Sequence, residues 1–179
     1  METLPDHVRP GLRLLSVGLN PSLPSVAAGF YFANPRNRFW KALAASRLVN
    51  GAPNPGPAAE RWLFRHRGIG FTDLVKRPTR GAAELRAPDF RNGTRRLQKL
   101  LDDYRPGFAW FHGKLAYKQF LRCAGHAADE DAWGLQPLCI GSTRLFVTPN
   151  PSPANAAFSL EELVTWYDRL ADVLAVHRL

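Results

Sequence analysis

The chain has 179 residues, 45% apolar and 22% charged, which is typical of a globular domain and excludes a disordered chain. No apolar run approaches the roughly 20 residues that cross a bilayer, and the first eleven residues lack the apolar core of a signal peptide. Lysine and arginine number 24 against 15 aspartate and glutamate, and the net charge of +9 favours a polyanionic partner, although solubility alone also accounts for it. We therefore expect one cytoplasmic domain over residues 1–179, with a frayed segment at 1–10.

The sequence lacks the residue patterns that are typical of metal and phosphate sites. Cys123 and Cys139 are too few for a disulfide framework or a four-cysteine metal or iron–sulfur site. The histidines lack metal-like spacing, and neither GxxxxGK[ST] nor GxGxxG occurs, so we expect no metal and no cofactor. His112, at a strand end, is the one histidine that could reach a site; a satisfied position in the core is the other interpretation.

Short apolar strands alternate with helices along the chain. The predicted strands are 13–19, 70–75, 108–112 and 144–149, the last being either the partner of 135–140 in a hairpin or the final core strand. The predicted helices are 35–48, 58–67, 93–104, 114–123 and 160–174, and Ser159 with Glu162 forms a capping box before the last. This alternation predicts an α/β fold with three layers, α/β/α, around a mostly parallel four-stranded central sheet.

Ligands of such sheets bind beyond the carboxyl ends of the strands. The segments there are GLNPS at 18–22, TDL at 72–74, HGK at 112–114 and PNPSP at 149–153. In the first, Pro21 biases Asn20 toward extended geometry, which would present a side-chain donor and acceptor to a ligand. Asn20 either holds a water or an amide edge there, or caps its own backbone in an Asx turn.

Two further segments suit contact with stacked planar groups. The triplet Asn-Pro-Ser recurs at 150–152, and the small, uncharged residues after it suit insertion into a base stack, an ordinary loop being the alternative. The three consecutive aromatics at 30–32 cannot all point into a core, so at least one ring should face a ligand or an interface.

Five segments carry a resemblance to a known family. In chain order they are GLNPS, GFYFANPRNRFWK, GFTDLVKRPT, IGSTRLFVTPNPS and SLEELV. Together they resemble the mismatch-specific uracil-DNA glycosylase and thymine-DNA glycosylase branch of the uracil-DNA glycosylase superfamily, over residues 11–174. The iron–sulfur branches need four cysteines, and another branch has His-Pro-Ser where this chain has Asn150-Pro151-Ser152.

The resemblance implies an enzyme of DNA base-excision repair. Such an enzyme flips uracil out of a G:U mismatch, or another damaged pyrimidine out of its pair, and hydrolyses the N-glycosidic bond to leave an abasic site. The implied partner is double-stranded DNA with a mismatched or damaged base, and the implied state is a monomer.

The resemblance also implies roles for individual residues. Asn20 would hold the attacking water, and Phe32 would stack on the flipped base. The other substrate-binding residues would be Gly18, Leu19, Ser25, Phe30 and Asn150. The DNA-binding residues would be Ser152, Pro153, Ala154, Asn155, Ala156, Arg77 and Lys114.

Two positions depart from the family pattern. Asp73 stands where relatives often carry lysine or asparagine. We hypothesise that it activates the water or stabilises the sugar cation. The alternative is that it forms an ion pair with Lys76 or Arg77. The residues 153–156 read PANA where bacterial relatives often carry GLSR, so the arginine of the inserted loop is missing.

Basic residues beside the predicted crevice could contact phosphates. They are Arg36, Arg38, Arg77, Arg80, Arg91, Lys114 and Arg144. Two other functions stay open: a non-catalytic module that binds mismatched or single-stranded nucleic acid, and a hydrolase of free nucleotides.

Overall fold

A five-stranded sheet forms the centre of the computed structural model, which describes residues 2–127 and 131–177. The strands are β1 Leu14–Gly18, β2 Ile69–Asp73, β3 Phe108–His112, β4 Gly134–Ile140 and β5 Thr143–Thr148. Their order is β2-β1-β3-β5-β4, and all neighbours pair in parallel except β4, which is antiparallel to β5.

The prediction of a four-stranded sheet was wrong, because β4 adds a fifth strand at one edge. The sequence allowed 144–149 to be the partner of 135–140 in a hairpin or the final core strand, and the structure shows the hairpin. Only Gly141 and Ser142 connect β4 to β5, and Gly141 adopts a φ of 56°, which suits so short a turn. Antiparallel pairing needs no crossover helix, so the chain can add this strand with two residues.

Helices cover both faces of the sheet. They are α1 Leu23–Ala28, α2 Phe39–Ala45, α3 Pro57–Trp62, α4 Ala87–Tyr104, α5 Lys114–Ala124 and α6 Leu160–Val176. Helices α2, α3 and α6 pack on Leu14 and Trp110, whereas α4 and α5 pack on Leu15, Val17 and Phe111. Successive strand residues point to opposite faces, so one strand serves both cores and the predicted three layers are present.

Local hydrogen bonds set where the helices begin. The predicted capping box is present, since Ser159 N donates to Glu162 Oε2 (2.6 Å) and Glu162 N donates to Ser159 Oγ (3.1 Å). Helix α2 begins later than predicted because Asn37 Oδ1 accepts from Phe39 N (2.9 Å) and holds a turn before it. No helix formed by residues 2–127 and 131–177 is long and apolar enough to cross a membrane.

The N-terminal segment is docked, contrary to the expectation that residues 1–10 are frayed. His7 exchanges two backbone hydrogen bonds with Phe71 (2.8 and 3.1 Å), and Leu4 is buried. Because β2 is an edge strand, its outer backbone groups need partners, and His7 supplies them.

Helix α4 lies so close to the chain after β2 that it tolerates no side chain at Gly93. A Cβ on Gly93 would lie 2.1 Å from the carbonyl oxygen of Leu74. Alanine for glycine usually stabilises a helix by about 1 kcal/mol, but forced overpacking costs about 1–3 kcal/mol. We therefore expect Gly93→Ala to lower the free energy of unfolding in urea, measured by circular dichroism.

Gly81→Ala is the matched control. No atom lies within 4 Å of a Cβ at Gly81, and its φ of −163° suits any residue. A Gly93→Ala protein as stable as the wild type would contradict the close packing of α4.

Candidate active site

A cavity of about 400 Å³ opens at the carboxyl ends of the strands. All four predicted strand-end segments contribute residues to its wall. The predicted site residues that line it are Gly18, Leu19, Asn20, Ser25, Phe32, Asp73, Asn150, Ser152, Ala154 and Asn155, together with His112. These predicted residues, from Gly18 to Asn155, thus meet at one end of the parallel strands although they are up to 137 residues apart in the chain.

Backbone hydrogen bonds join the segments after β1 and β2. Leu74 N donates to Gly18 O (2.8 Å), and Val75 N donates to Leu19 O (2.9 Å). These bonds continue the parallel pairing past the strand ends. Both segments therefore present their side chains to the same cavity.

Hydrogen bonds fix the side-chain amide of Asn20. Its Nδ2 donates to Thr79 Oγ1 (2.8 Å), Arg77 O (3.0 Å) and Pro21 O (3.3 Å). Within residues 2–127 and 131–177, Oδ1 of Asn20 has no hydrogen-bond partner. The nitrogen is thus fully used, and the oxygen is the atom left to accept a bond from a molecule in the cavity.

Asp73 places a buried carboxyl group in the same cavity. It is 3% exposed, and its Oδ2 has no hydrogen-bond partner among the described residues. Its neighbour across the parallel pair is Gly18, where a Cβ would lie 2.2 Å from Asp73 Oδ1. Glycine at position 18 is therefore what makes room for the carboxyl group.

Burial raises the pKa of Asp73 to about 7. The carboxylates of Asp6 and Glu60 add to this effect, whereas Lys76 and Arg96 oppose it. The pairing of Asp73 with Lys76 or Arg77, which the sequence left open, is not what the structure shows: Lys76 binds Asp6 (2.9 Å).

Phe32 contributes an aromatic ring to the cavity wall. The ring stacks on Phe39, with centroids 4.2 Å apart and planes 19° apart. The backbone of Phe32 has a φ of 58°, a conformation that costs a non-glycine residue about 1–3 kcal/mol and is often found at functional sites. Ser25 holds the next residue, because its Oγ accepts from Ala33 N (3.1 Å).

His112 is buried and also lines the cavity. The sequence allowed either a position at the site or a position in the core, and the structure shows features of both. Its Nε2 lies 2.8 Å from Ser16 Oγ, and its buried Nδ1 has no partner among the described residues. Burial lowers the pKa of His112 to about 3, so the ring is neutral at physiological pH. In the ranges 2–127 and 131–177, no three His, Cys, Asp or Glu residues are grouped as metal ligands would be.

One arginine holds the loop that follows β5. The guanidinium of Arg38 donates to the carbonyl oxygens of Pro151 (3.4 Å), Ser152 (3.1 Å), Asn155 (2.7 Å) and Phe158. These bonds use four of the five N–H groups of Arg38, so its main contacts are with the loop, and the expected phosphate contact stays a prediction. Pro153, Ala154 and Ala156, in the loop that it holds, are exposed.

The structure also places three other predicted residues, Phe30, Arg144 and Arg77. Phe30 does not line the cavity, because it packs on Trp40 (ring centroids 6.3 Å) in the core. Arg144 is the second residue of β5 and therefore lies near the amino ends of the strands, away from the cavity. Arg77 forms an ion pair with Asp89 (2.8 Å).

The other basic residues predicted beside the crevice are Arg36, Arg80, Arg91 and Lys114, and Arg36 and Arg91 are exposed. Lys114 lies over the ring of Trp133, 4.3 Å from its centroid. Arg80 is exposed and lines the cavity.

Several cavity residues were not predicted. They are Leu4, Pro21, Ser22, Tyr31, Asn37, Thr79, Gly81, Ala82 and Leu115. Thr79 lies within the motif GFTDLVKRPT, and Tyr31 within the aromatic run, so these two had a signal in the sequence. Leu4 had none, because only the docking of the N-terminal segment brings it to the cavity.

Comparison with known proteins assigns the chain to a family. The family model of the uracil DNA glycosylase superfamily matches residues 5–171, and the chain belongs to that superfamily. The fold is also similar to the solution structure of a candidate uracil DNA glycosylase from Methanosarcina acetivorans, with a TM-score of 0.58 and 22% sequence identity. That alignment covers 96% of this chain and 98% of the other.

The four acceptors of Arg38 predict that this side chain orders the loop 151–158. A hydrogen bond to a charged group contributes about 1.5–3 kcal/mol, so loss of the guanidinium should let the loop open locally. We expect Arg38→Met to raise amide hydrogen exchange in this loop at least tenfold, measured by mass spectrometry. Arg36→Met is the control, since Arg36 is exposed and its side chain forms no hydrogen bond within the described ranges. Unchanged exchange in Arg38→Met would contradict the role of the guanidinium.

The raised pKa of Asp73 predicts a pH-dependent cost in stability. The folded protein keeps the proton between an unfolded pKa of about 3.9 and the folded value near 7, so the wild type loses stability as pH rises through this window. Asp73→Asn does not ionise. The difference in free energy of unfolding between this variant and the wild type should therefore change by about 2–3 kcal/mol in favour of the variant as pH rises from 5 to 8.

Urea unfolding of both proteins at several pH values measures this gain. The difference between the two proteins cancels contributions from other titrating groups such as His112. If the difference in free energy of unfolding between the two proteins stays constant from pH 5 to pH 8, Asp73 titrates as an exposed carboxyl group does, and the prediction is wrong.

Proposed function

We propose that this protein is a mismatch-directed uracil-DNA glycosylase that hydrolyses the N-glycosidic bond of uracil flipped out of double-stranded DNA. One observation carries the proposal. The free amide oxygen of Asn20 and the carboxyl group of Asp73 lie in one cavity with the ring of Phe32. Had Asn20 and Phe32 lain on separate surfaces, the interpretation would have failed.

Capture of the base uses the walls of the cavity. Extruding a nucleotide costs a few kcal/mol, and a mispaired uracil costs least. Phe32, supported from behind by Phe39, offers a ring on which the flipped base stacks. Leu19 and Ser25 line the cavity and would crowd the 5-methyl group of thymine.

The loop 152–156 would fill the gap that the base leaves. Its exposed members are small, and Arg38 holds its backbone in shape before DNA arrives. Without the arginine that relatives carry in this loop, we expect weak discrimination of the opposing base. Arg80, which lines the cavity, and Lys114, which follows β3, are cations that would meet phosphates there.

The bond-breaking step needs a placed water more than a strong nucleophile. Asn20 Oδ1 accepts a hydrogen bond from the water and directs its oxygen to C1′ of the sugar. The C1′–N1 bond breaks with its electron pair going to uracil, and the sugar becomes cation-like. The ionised form of Asp73 stabilises this charge and takes the proton of the water as the C1′–O bond forms, and uracil is released with a proton from solvent.

We expect Asp73→Ala to lower the single-turnover rate of uracil excision from a U:G duplex by about 10²–10⁴-fold, the usual contribution of a general base. Asn20→Ala should cause a similar loss, because the water is then no longer directed. Cleavage of the abasic product by alkali, followed on a denaturing gel, measures both rates. Asp103→Ala is the matched acidic control, since Asp103 pairs with Lys99 on the exposed face of α4. A loss below threefold in Asp73→Ala would reject the catalytic role.

Substrates decide between this proposal and the alternatives. U:G, U:A and T:G duplexes and single-stranded uracil test the specificity of a mismatch-directed glycosylase. Binding without alkali-sensitive product would indicate a non-catalytic module. Activity on free nucleotides that does not respond to salt would indicate a nucleotide hydrolase.

A further inference from the structure

The N-terminal segment, residues 3–7, forms part of the site wall although the proposed chemistry does not use it. Thr3 Oγ1 donates to Lys76 O (2.6 Å), and Pro5 O accepts from Tyr31 Oη (3.0 Å). Leu4 lines the cavity itself. The segment is therefore fixed to the chain on either side of the site.

Within this segment, Asp6 binds two cations. Its Oδ1 lies 2.9 Å from Lys76 Nζ, and its Oδ2 lies 2.6 Å from Arg96 Nη1. Thr72 Oγ1 also donates to Oδ1 of Asp6 (2.7 Å). The side chains of Asp6, Lys76 and Arg96 are only 20–28% exposed, so these ion pairs are screened less than pairs on the open surface.

The same two cations lie beside Asp73. Arg96 Nη2 donates to the backbone oxygen of Asp73, and the charges of both Lys76 and Arg96 act on its carboxyl group. Yet neither cation forms a salt bridge with that carboxyl group in the described parts of the chain. Their charged groups are directed to Asp6 instead.

The other ionisable groups around Asp73 do not replace Asp6. Glu60, from α3, also raises the pKa of Asp73, but it accepts from Tyr31 N (2.5 Å) and lies 3.3 Å from His7 Nε2. Tyr31 is neutral, because burial raises its pKa well above the usual range. His112, from β3, is neutral for the reason given above.

We propose that Asp6 is a positioning residue for Asp73: by binding Lys76 and Arg96, it keeps the Asp73 carboxyl group free of ion pairs and available to the cavity. This inference rests on the proposed function, in which that carboxyl group acts on the water. Loss of the Asp6 charge would leave two cations to bind Asp73, which would then ionise at lower pH and be a weaker base. Loss of the Lys76 charge would have the opposite effect.

The test compares pH profiles of single-turnover uracil excision in the wild type, Asp6→Asn and Lys76→Gln. We expect the acid limb of the profile to move to lower pH by about one unit in Asp6→Asn and to higher pH in Lys76→Gln. The plateau rate of Asp6→Asn should fall several-fold, as expected of a weaker base. Asp103→Asn should leave the profile unchanged. A purely structural role for Asp6 would change rates at every pH by the same factor.

A second measurement separates this inference from the proposed function. Carbon-13 NMR titration of the Asp73 carboxyl group, assigned by its loss in Asp73→Asn, follows ionisation in the free protein. Shifts of opposite sign in Asp6→Asn and Lys76→Gln support the inference even if the wild type excises no uracil, in which case only the proposed function fails. Shifts of the same sign, or no shift in either variant, overturn it. If Asp6→Asn does not fold, an unshifted titration in Lys76→Gln alone overturns it.

Discussion

The site depends on a buried carboxyl group that faces a glycine across two parallel strands. The register of β1 on β2 sets Asp73 opposite Gly18, and any side chain at position 18 would occupy the place of the carboxylate. The same register continues beyond the strands and directs Asn20 to the same side. Fold and site are therefore linked by one strand pairing, because a slip of one residue would turn Asp73 into the core.

This arrangement is costly to the folded state. Asp73 Oδ2 and His112 Nδ1 are both buried without a partner in the described residues, and most buried polar atoms in proteins are paired. Phe32 adds a left-handed backbone. These three departures from local stability all border the same cavity, and such departures are expected where a protein binds or reacts rather than where it only folds.

Much of the fold could be predicted because its signals are local. Strand β3 was predicted at its observed bounds, since Pro106-Gly107 and Gly113 delimit a short apolar run. Helix α4 begins before the predicted residue 93 because Pro88 occupies its first turn, where proline is tolerated, and because Asp89 Oδ2 accepts a hydrogen bond from Arg86 N (2.8 Å) at the start of the helix.

The site could be predicted where it follows from strand ends and family motifs, as for Asn20 and Asp73. It could not be predicted where it depends on contacts between distant segments. Leu4 reaches the cavity only because the N-terminal segment docks on an edge strand. The partners of Arg38 lie more than 110 residues away in the chain, and a basic residue near a crevice gives no sign that its donors are already used.

The clamp formed by Arg38 has a consequence for how this surface can diversify. Arg38 holds the loop through four carbonyl oxygens, and every amino acid type carries a carbonyl. Exposed positions such as Pro153 and Ala156 are therefore free to exchange side chains without loss of the anchor. Under the proposed function, sequence drift at these positions would retune which opposing base is tolerated and would leave the residues inside the cavity unchanged.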